Sequence, residues 1–226
     1  MDKEINGDSA LLLNRINKFY PIHHGRSKRV ILNNVNLQIM KGEKWGIMGR
    51  NGAGKSTLIR IISGSEYPNS GVIHRGMSVS WPLAFGDAFQ GSLTGKDNAR
   101  LIARVYGVDY INMLQYIEDF AELGHYLSEP VKSYSSGMRA RLAFAISMTI
   151  EFDCYLIDEI MAVGDHRFTE KCNVDLFEKR ADRAMIIVAH QTELIRHRCN
   201  HAAVLHDGIL TCYSNVNEAI HVYEHL

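Results

Sequence analysis

Gly49-Arg50-Asn51-Gly52-Ala53-Gly54-Lys55-Ser56-Thr57 is the stretch that decides how this chain folds. Gly49 to Ser56 fits the pattern G-x-x-x-x-G-K-S/T, in which glycines let the backbone wrap closely around phosphates. The apolar run Lys44-Trp45-Gly46-Ile47-Met48 predicts a strand leading into the loop. Ser56 to Ser63 predicts a helix leading out, with Leu58, Ile61 and Ile62 on one face. At such a junction, successive N–H groups and the helix N-terminus face an anion. Lys55 then reaches the β- and γ-phosphates of a nucleotide and Ser56 ligates Mg²⁺. The loop alone leaves kinase, GTPase and motor open.

Outward from the loop, short strands are expected at Ala10 to Leu13, Val30 to Leu32 and Val35 to Ile39, with a turn at Lys41-Gly42-Glu43. From about Gly86 to Glu129 the pattern becomes helical, with apolar spacing over Asp97 to Val105 and Ile111 to Leu123. A helix then runs from Arg139 to Phe152, followed by buried strands at Cys154 to Ile157 and Ala184 to Val188. Ala203 to Thr211 reads as a hairpin turning at Asp207-Gly208, and an amphipathic helix is expected from Asn217 to the end. The class is α/β, with a helical insert.

Two strand ends carry further chemistry. Cys154-Tyr155-Leu156-Ile157-Asp158-Glu159 ends in paired carboxylates, and a parallel strand delivers its C-terminal residues to the edge that bears the phosphate loop. Asp158 is expected to hold Mg²⁺, and Glu159 to act as the general base that orients an attacking water. Ile186-Ile187-Val188-Ala189-His190 repeats the design with an imidazole, suited to hydrogen-bond a γ-phosphate or hold the water in place. The other ten of the 11 histidines read as ordinary core or surface groups, including His221 and His225, whose spacing suits a metal but lacks a third ligand.

Bulk properties narrow the class. The 226 residues are 46% hydrophobic, enough for one large domain, and Lys plus Arg balance Asp plus Glu at 25 each. A neutral chain without a basic stripe is no general nucleic-acid binder. Cys154, Cys172, Cys199 and Cys212 are widely spaced and read as reduced cytosolic thiols. The polar start Met1 to Asp8 lacks the features of a secretory leader, and apolar runs such as Ala184 to Ala189 fall far short of the roughly 20 residues that cross a bilayer. Work at a membrane therefore calls for another chain to do the spanning.

Tyr134-Ser135-Ser136-Gly137-Met138, before the expected helix at Arg139, resembles the signature of ABC ATPases, altered at its first, third and fifth positions from the commoner Leu-Ser-Gly-Gly-Gln. The order of phosphate loop, helical insert, signature, acidic strand and histidine strand matches that family over almost the whole chain. The resemblance implies a P-loop NTPase of ABC type: a RecA-like core with an N-terminal antiparallel β-subdomain (residues 1–85 and 139–226) and a helical subdomain at about 86–138, together a single domain over 1–226. It also implies that ATP is the nucleotide. Tyr20 matches the aromatic that stacks on adenine, although a core position for that ring fits the sequence equally well. Asp165 matches the loop that communicates between paired ATPase domains. Ser135, Ser136 and Gly137 are expected at the γ-phosphate held by a second copy, so the resemblance implies a head-to-tail, ATP-dependent homodimer.

One departure is informative. The glutamine that most ABC ATPases carry at the start of the insert falls near Phe85 here, and Gln90 lies a few residues late. The stretch Ser80 to Gly95, the Tyr134 to Met138 segment and Ile160-Met161-Ala162-Val163-Gly164-Asp165 are similar to the ATPases that export capsular polysaccharide or O-antigen. The short C-terminus fits the capsule group. That resemblance implies a peripheral position on the cytoplasmic face of a bacterial inner membrane, a separate integral-membrane permease, and no direct contact with glycan. A non-transport ABC module is the weaker alternative, since the chain has neither a coiled-coil insertion nor a second ATPase domain. A P-loop kinase is another, and it leaves Tyr134 to Met138 and His190 without a purpose.

Overall fold

A computed structural model describes residues 10–22, 27–83, 89–158 and 166–226. The chain forms two compact units, Met1–Pro82 with Phe152–Glu159 and Asp182–Leu226, and Leu83–Glu151 with Ile160–Ala181.

The first unit contains two sheets. In the smaller, β1 (Ala10–Ile22) lies between β2 (Ser27–Met40) and β4 (Ser70–Arg75), antiparallel to both. β2 is one strand where the sequence suggested two. Asn33-Asn34 looks like a turn, but Asn34, at φ 51°, and Arg15, at φ 52°, instead form an irregularity inside the β1–β2 ladder. Asparagine side chains patch it: Arg15 N donates to Asn36 Oδ1 at 2.9 Å, and Asn34 N to Asn17 Oδ1 at 2.9 Å. β-Bulges of this kind trade a ladder bond for local curvature.

The larger sheet has the order β5 (Val79–Pro82), β6 (Cys154–Asp158), β7 (Ala184–Val188), β3 (Lys44–Met48), β8 (His201–His206), β9 (Ile209–Tyr213). Only the β8–β9 hairpin pairs antiparallel; β5, β6, β7, β3 and β8 run parallel. Parallel strands covered on both faces are continuous apolar runs, and Ile47, Ile186, Ile187 and Leu156 are fully buried. Helix α1 (Lys55–Ser63) packs Leu58, Ile59, Ile61 and Ile62 into the same core as Leu11, Ile39 and Val188. Helices α6 (Thr192–Arg198) and α7 (Val216–Glu224) complete this unit. β4, β5 and α6 go beyond the sequence reading; β4 is a short, mostly exposed strand whose identity depends on pairing with β1.

The second unit holds α2 (Gly95–Tyr106), α3 (Tyr110–Ala121), α4 (Ser136–Met148) and α5 (His166–Asn173), which continues into a π-helical turn, Val174–Glu178. Thr94 caps α2 and Asp109 caps α3 through their side-chain oxygens. The start of α4 lies three residues before the expected Arg139, because Ser135 is the capping residue and accepts from Met138 N at 3.2 Å. Phe120 stacks on Tyr116 and Phe144, and Phe168 meets Phe120 edge-on, giving this unit its own aromatic core.

Candidate nucleotide site and signature helix

The strand register assembles the site. Ile47 of β3 pairs with Val188 of β7, which pairs with Asp158 of β6, so the three strands end in one row. The chain beyond that row supplies the Gly49 loop, Ala189-His190 and Asp158 itself. Topology thus brings together residues more than a hundred positions apart, at the carboxyl edge where open α/β sheets place their ligands.

Glycine is needed at two loop positions for different reasons. A β-carbon on Gly49 would lie 2.5 Å from the Leu205 carbonyl oxygen, so β8 passes too close for any side chain. Gly54, the residue before α1, has φ +108°, and a β-carbon there would strike Ile31 Cγ2 at 2.8 Å. Lys55 opens α1 and is only 8% exposed. Its ammonium donates to Gly49 O at 2.5 Å and Arg50 O at 3.2 Å, and approaches His190 Nε2 at 3.3 Å. The lysine therefore closes the loop onto itself and touches the β7 imidazole.

One cleft is lined by Tyr20, Gly54, Lys55, Ser56, Asp158 and His190, with Asn51, Gly52 and Thr57 on its wall. Tyr20 is half-buried and lines this cleft. Its hydroxyl donates to Glu66 Oε1 at 2.5 Å, and Lys18 Nζ lies 5.1 Å from its ring centroid. Glu66 is the hub of this support, paired with Lys18 at 2.8 Å and Arg60 at 2.9 Å. Burial pushes its carboxyl up, but hydrogen bonds from Lys18, Tyr20 and Arg60 outweigh this and lower it to about 2. No sequence pattern points to Glu66; its contacts depend on chain segments that meet only in the fold.

The second unit holds the signature. Ser135 and Ser136 are exposed at the α4 N-terminus, and a β-carbon on Gly137 would meet only Ser135 Oγ, at 3.9 Å. Among the described residues, nothing requires glycine there. Tyr134 is the anchor: it is 3% exposed, its hydroxyl donates to Tyr126 O at 2.5 Å, and Arg139 donates to its carbonyl at 2.6 Å. Gln90 has an exposed side chain, while its backbone is held in both directions by the buried Asn98, at 2.9 and 3.2 Å. Glu159, Asp165 and Phe85 lie outside the described residues.

A phosphate loop, an acidic strand end, a histidine strand end and a serine-capped signature helix occur in one chain, and the ABC transporter family profile matches residues 32–162. The chain belongs to the ABC transporter family. It is similar to ATP-binding protein BexA of Haemophilus influenzae, 55% identical over 92% of this chain and 97% of that protein. It resembles the capsule polysaccharide export ATP-binding protein CtrD of Neisseria meningitidis serogroup B at 56% identity, over 88% of this chain and 92% of CtrD. The polysialic acid transport ATP-binding protein KpsT of Escherichia coli is 43% identical, over 94% of this chain and 97% of KpsT. Among solved structures, a dimeric ATP-binding cassette in a post-hydrolysis state bound to ADP and Pi superposes with a TM-score of 0.73 at 22% identity, over 88% of this chain and 96% of that one. The fold class expected from the signature order, a P-loop ABC ATPase of α/β type, is the fold observed, and the expected kinship with capsule-export ATPases holds. As an ABC ATPase the chain binds ATP and couples its hydrolysis to transport. Among the described residues, no helix is long and apolar enough to cross a membrane.

Proposed function

We propose that this chain is the motor subunit of an exporter that carries capsular polysaccharide across a bacterial inner membrane, bound at the cytoplasmic face to a separate integral-membrane permease. The observation that carries this reading is the near full-length similarity to a capsule polysaccharide export ATP-binding protein. The glycan itself meets the permease and not this chain.

In this reading Tyr20 stacks on adenine, and the backbone of Gly49 to Gly54 cradles the phosphates with Lys55 and Thr57. The hydroxyl of Ser56 and the carboxylate of Asp158 line the same cleft. Both are oxygen donors, as Mg²⁺ requires, and a site of one or two protein oxygens completed by phosphates and water is the usual Mg²⁺ arrangement. Held there, Mg²⁺ would supply positive charge to the β- and γ-phosphates. Glu159 orients water for attack on the γ-phosphorus, the bond to the ADP oxygen breaks, and His190 holds the γ-phosphate side of the site. Ser135, Ser136 and Gly137, presented openly at a helix N-terminus, serve the γ-phosphate of a second copy. Asp165 lies in the loop that links the two sites. The whole chain then acts as one ATPase domain, closing as a head-to-tail pair on ATP and reopening on hydrolysis.

The test is hydrolysis measured against protein concentration, with wild type and Glu159→Gln. A rate per chain that climbs steeply with concentration, and is lost in Glu159→Gln, is the expected result. A flat rate per chain, or full activity in the variant, contradicts it.

A further inference from the structure

We infer that Tyr223, on the C-terminal helix α7, is a positioning residue for His190, and that its hydroxyl serves the imidazole in either tautomer. This rests on the reading of His190 as the γ-phosphate contact.

His190 lies two residues beyond the end of β7 and two before the short helix α6, so no regular backbone element orients its ring. Two contacts at opposite ring nitrogens fix it: Lys55 Nζ lies 3.3 Å from Nε2, and Tyr223 Oη lies 3.1 Å from Nδ1. An ammonium can only donate, so Nε2 facing Lys55 is the acceptor. The proton of the neutral ring then sits on Nδ1, and the tyrosine oxygen accepts it. The order is lysine to imidazole to phenol, running from the phosphate loop to the last helix of the chain.

A phenol suits this place for a specific reason. To contact a γ-phosphate oxygen, Nε2 must donate rather than accept. The ring then loses the proton at Nδ1 and gains one at Nε2, both by exchange with water, and Nδ1 becomes an acceptor. A carboxylate or carbonyl could serve only the first arrangement. A hydroxyl serves both, turning from acceptor to donor without moving its oxygen. Tyr223 is held where it can do so: α7 is capped by Asn215, and the α6–α7 pair is tied by Arg196 to Asn217 at 3.2 Å and Thr192 to Glu224 at 3.4 Å.

The experiment uses the full chain labelled with ¹⁵N-histidine, with long-range ¹H–¹⁵N correlations reporting the His190 tautomer. Spectra are taken without nucleotide and with Mg²⁺ and a non-hydrolysable ATP analogue. The expected result is a proton on Nδ1 without nucleotide and on Nε2 with the analogue. In Tyr223→Phe, which keeps the ring and removes only the hydroxyl, the tautomers set at Nε2 are kept but the His190 Nδ1 resonance shifts in both states, because its hydrogen bond is lost. Its kcat for ATP falls roughly tenfold, the scale of losing a group that orients a functional imidazole, while KM changes less than about twofold. Glu218→Gln, at an exposed position in the first turn of α7, leaves the Nδ1 resonance and kcat unchanged and so separates the hydroxyl from substitution elsewhere on the helix. If Tyr223→Phe keeps the wild-type Nδ1 resonance and kcat while His190→Ala abolishes hydrolysis, the inference about Tyr223 is wrong and the reading of His190 stands. If His190→Ala hydrolyses ATP normally, both fall.

Discussion

The hydroxyl of Tyr134 occupies the space that a side chain at position 95 would need: a β-carbon on Gly95 would lie 2.6 Å from Tyr134 Oη. The pair explains a departure in the signature. A tyrosine at its first position, buried and bonded to Tyr126 O, takes room that only glycine at the start of α2 leaves open. Gly95→Ala should destabilise the protein by about 1–3 kcal/mol, the usual cost of overpacking. Tyr134→Phe alone should cost about 1 kcal/mol for its hydrogen bond. The double variant should be more stable than the sum of the two losses, by about 0.5 kcal/mol or more. Urea denaturation of the four proteins gives the coupling energy, and simple additivity would count against the steric link.

Gly137 separates stability from activity. It sits in the first turn of α4 with open space around it, so Gly137→Ala should stabilise the isolated chain by roughly 0.5–1 kcal/mol through helix propensity alone. The same methyl group should impair ATP-driven pairing, because the proposed shared site brings a second copy's phosphate to the backbone there. Thermal melting paired with an ATPase assay should show a higher midpoint and a lower rate. A variant with both unchanged, or both reduced, would argue that the glycine serves this chain alone.

Acid should weaken the Tyr20 support. The Glu66 carboxyl titrates near 2 in the folded protein, well below its ordinary 4.5, despite the opposing effect of burial. A depressed folded value means that its stabilising contribution is full above about 4.5 and is lost as pH falls towards about 2. Glu66→Gln should therefore flatten the stability–pH curve across that window while leaving the curve above pH 6 parallel to wild type. An identical acid limb in both proteins would remove Glu66 from the account.

How much of this was legible beforehand varies with how local the cause is. Gly49 to Thr57 was legible because each glycine answers a backbone demand, and its flanking strand and helix are apolar at the right periods. Asp158 and His190 were legible because parallel strands end on one edge, which the Ile47–Val188–Asp158 row bears out. β2 reads as two strands in sequence because Asn33-Asn34 are turn-type residues, and here the side chains of Asn17 and Asn36 bridge the irregular ladder around them. β4 carries too little apolar pattern to be seen without its partner β1. Glu66 and Tyr223 were invisible for the same reason. Glu66 meets Tyr20 from 46 positions away and Tyr223 meets His190 from 33, and no spacing rule reaches that far.

The strongest claim is that each ATP site is built from two copies, with Lys55 supplied by one and Gly137 by the other. Lys55→Ala and Gly137→Asp should each be inactive alone, since every site in either homodimer lacks one essential half. In a mixture, the mixed dimer joins an intact loop to an intact signature at one of its two sites. ATP hydrolysis measured on each variant and on their mixture is therefore the decisive experiment. Recovery of activity only on mixing is the predicted result. A mixture as inactive as its components, or a Gly137→Asp protein active by itself, would contradict the shared site.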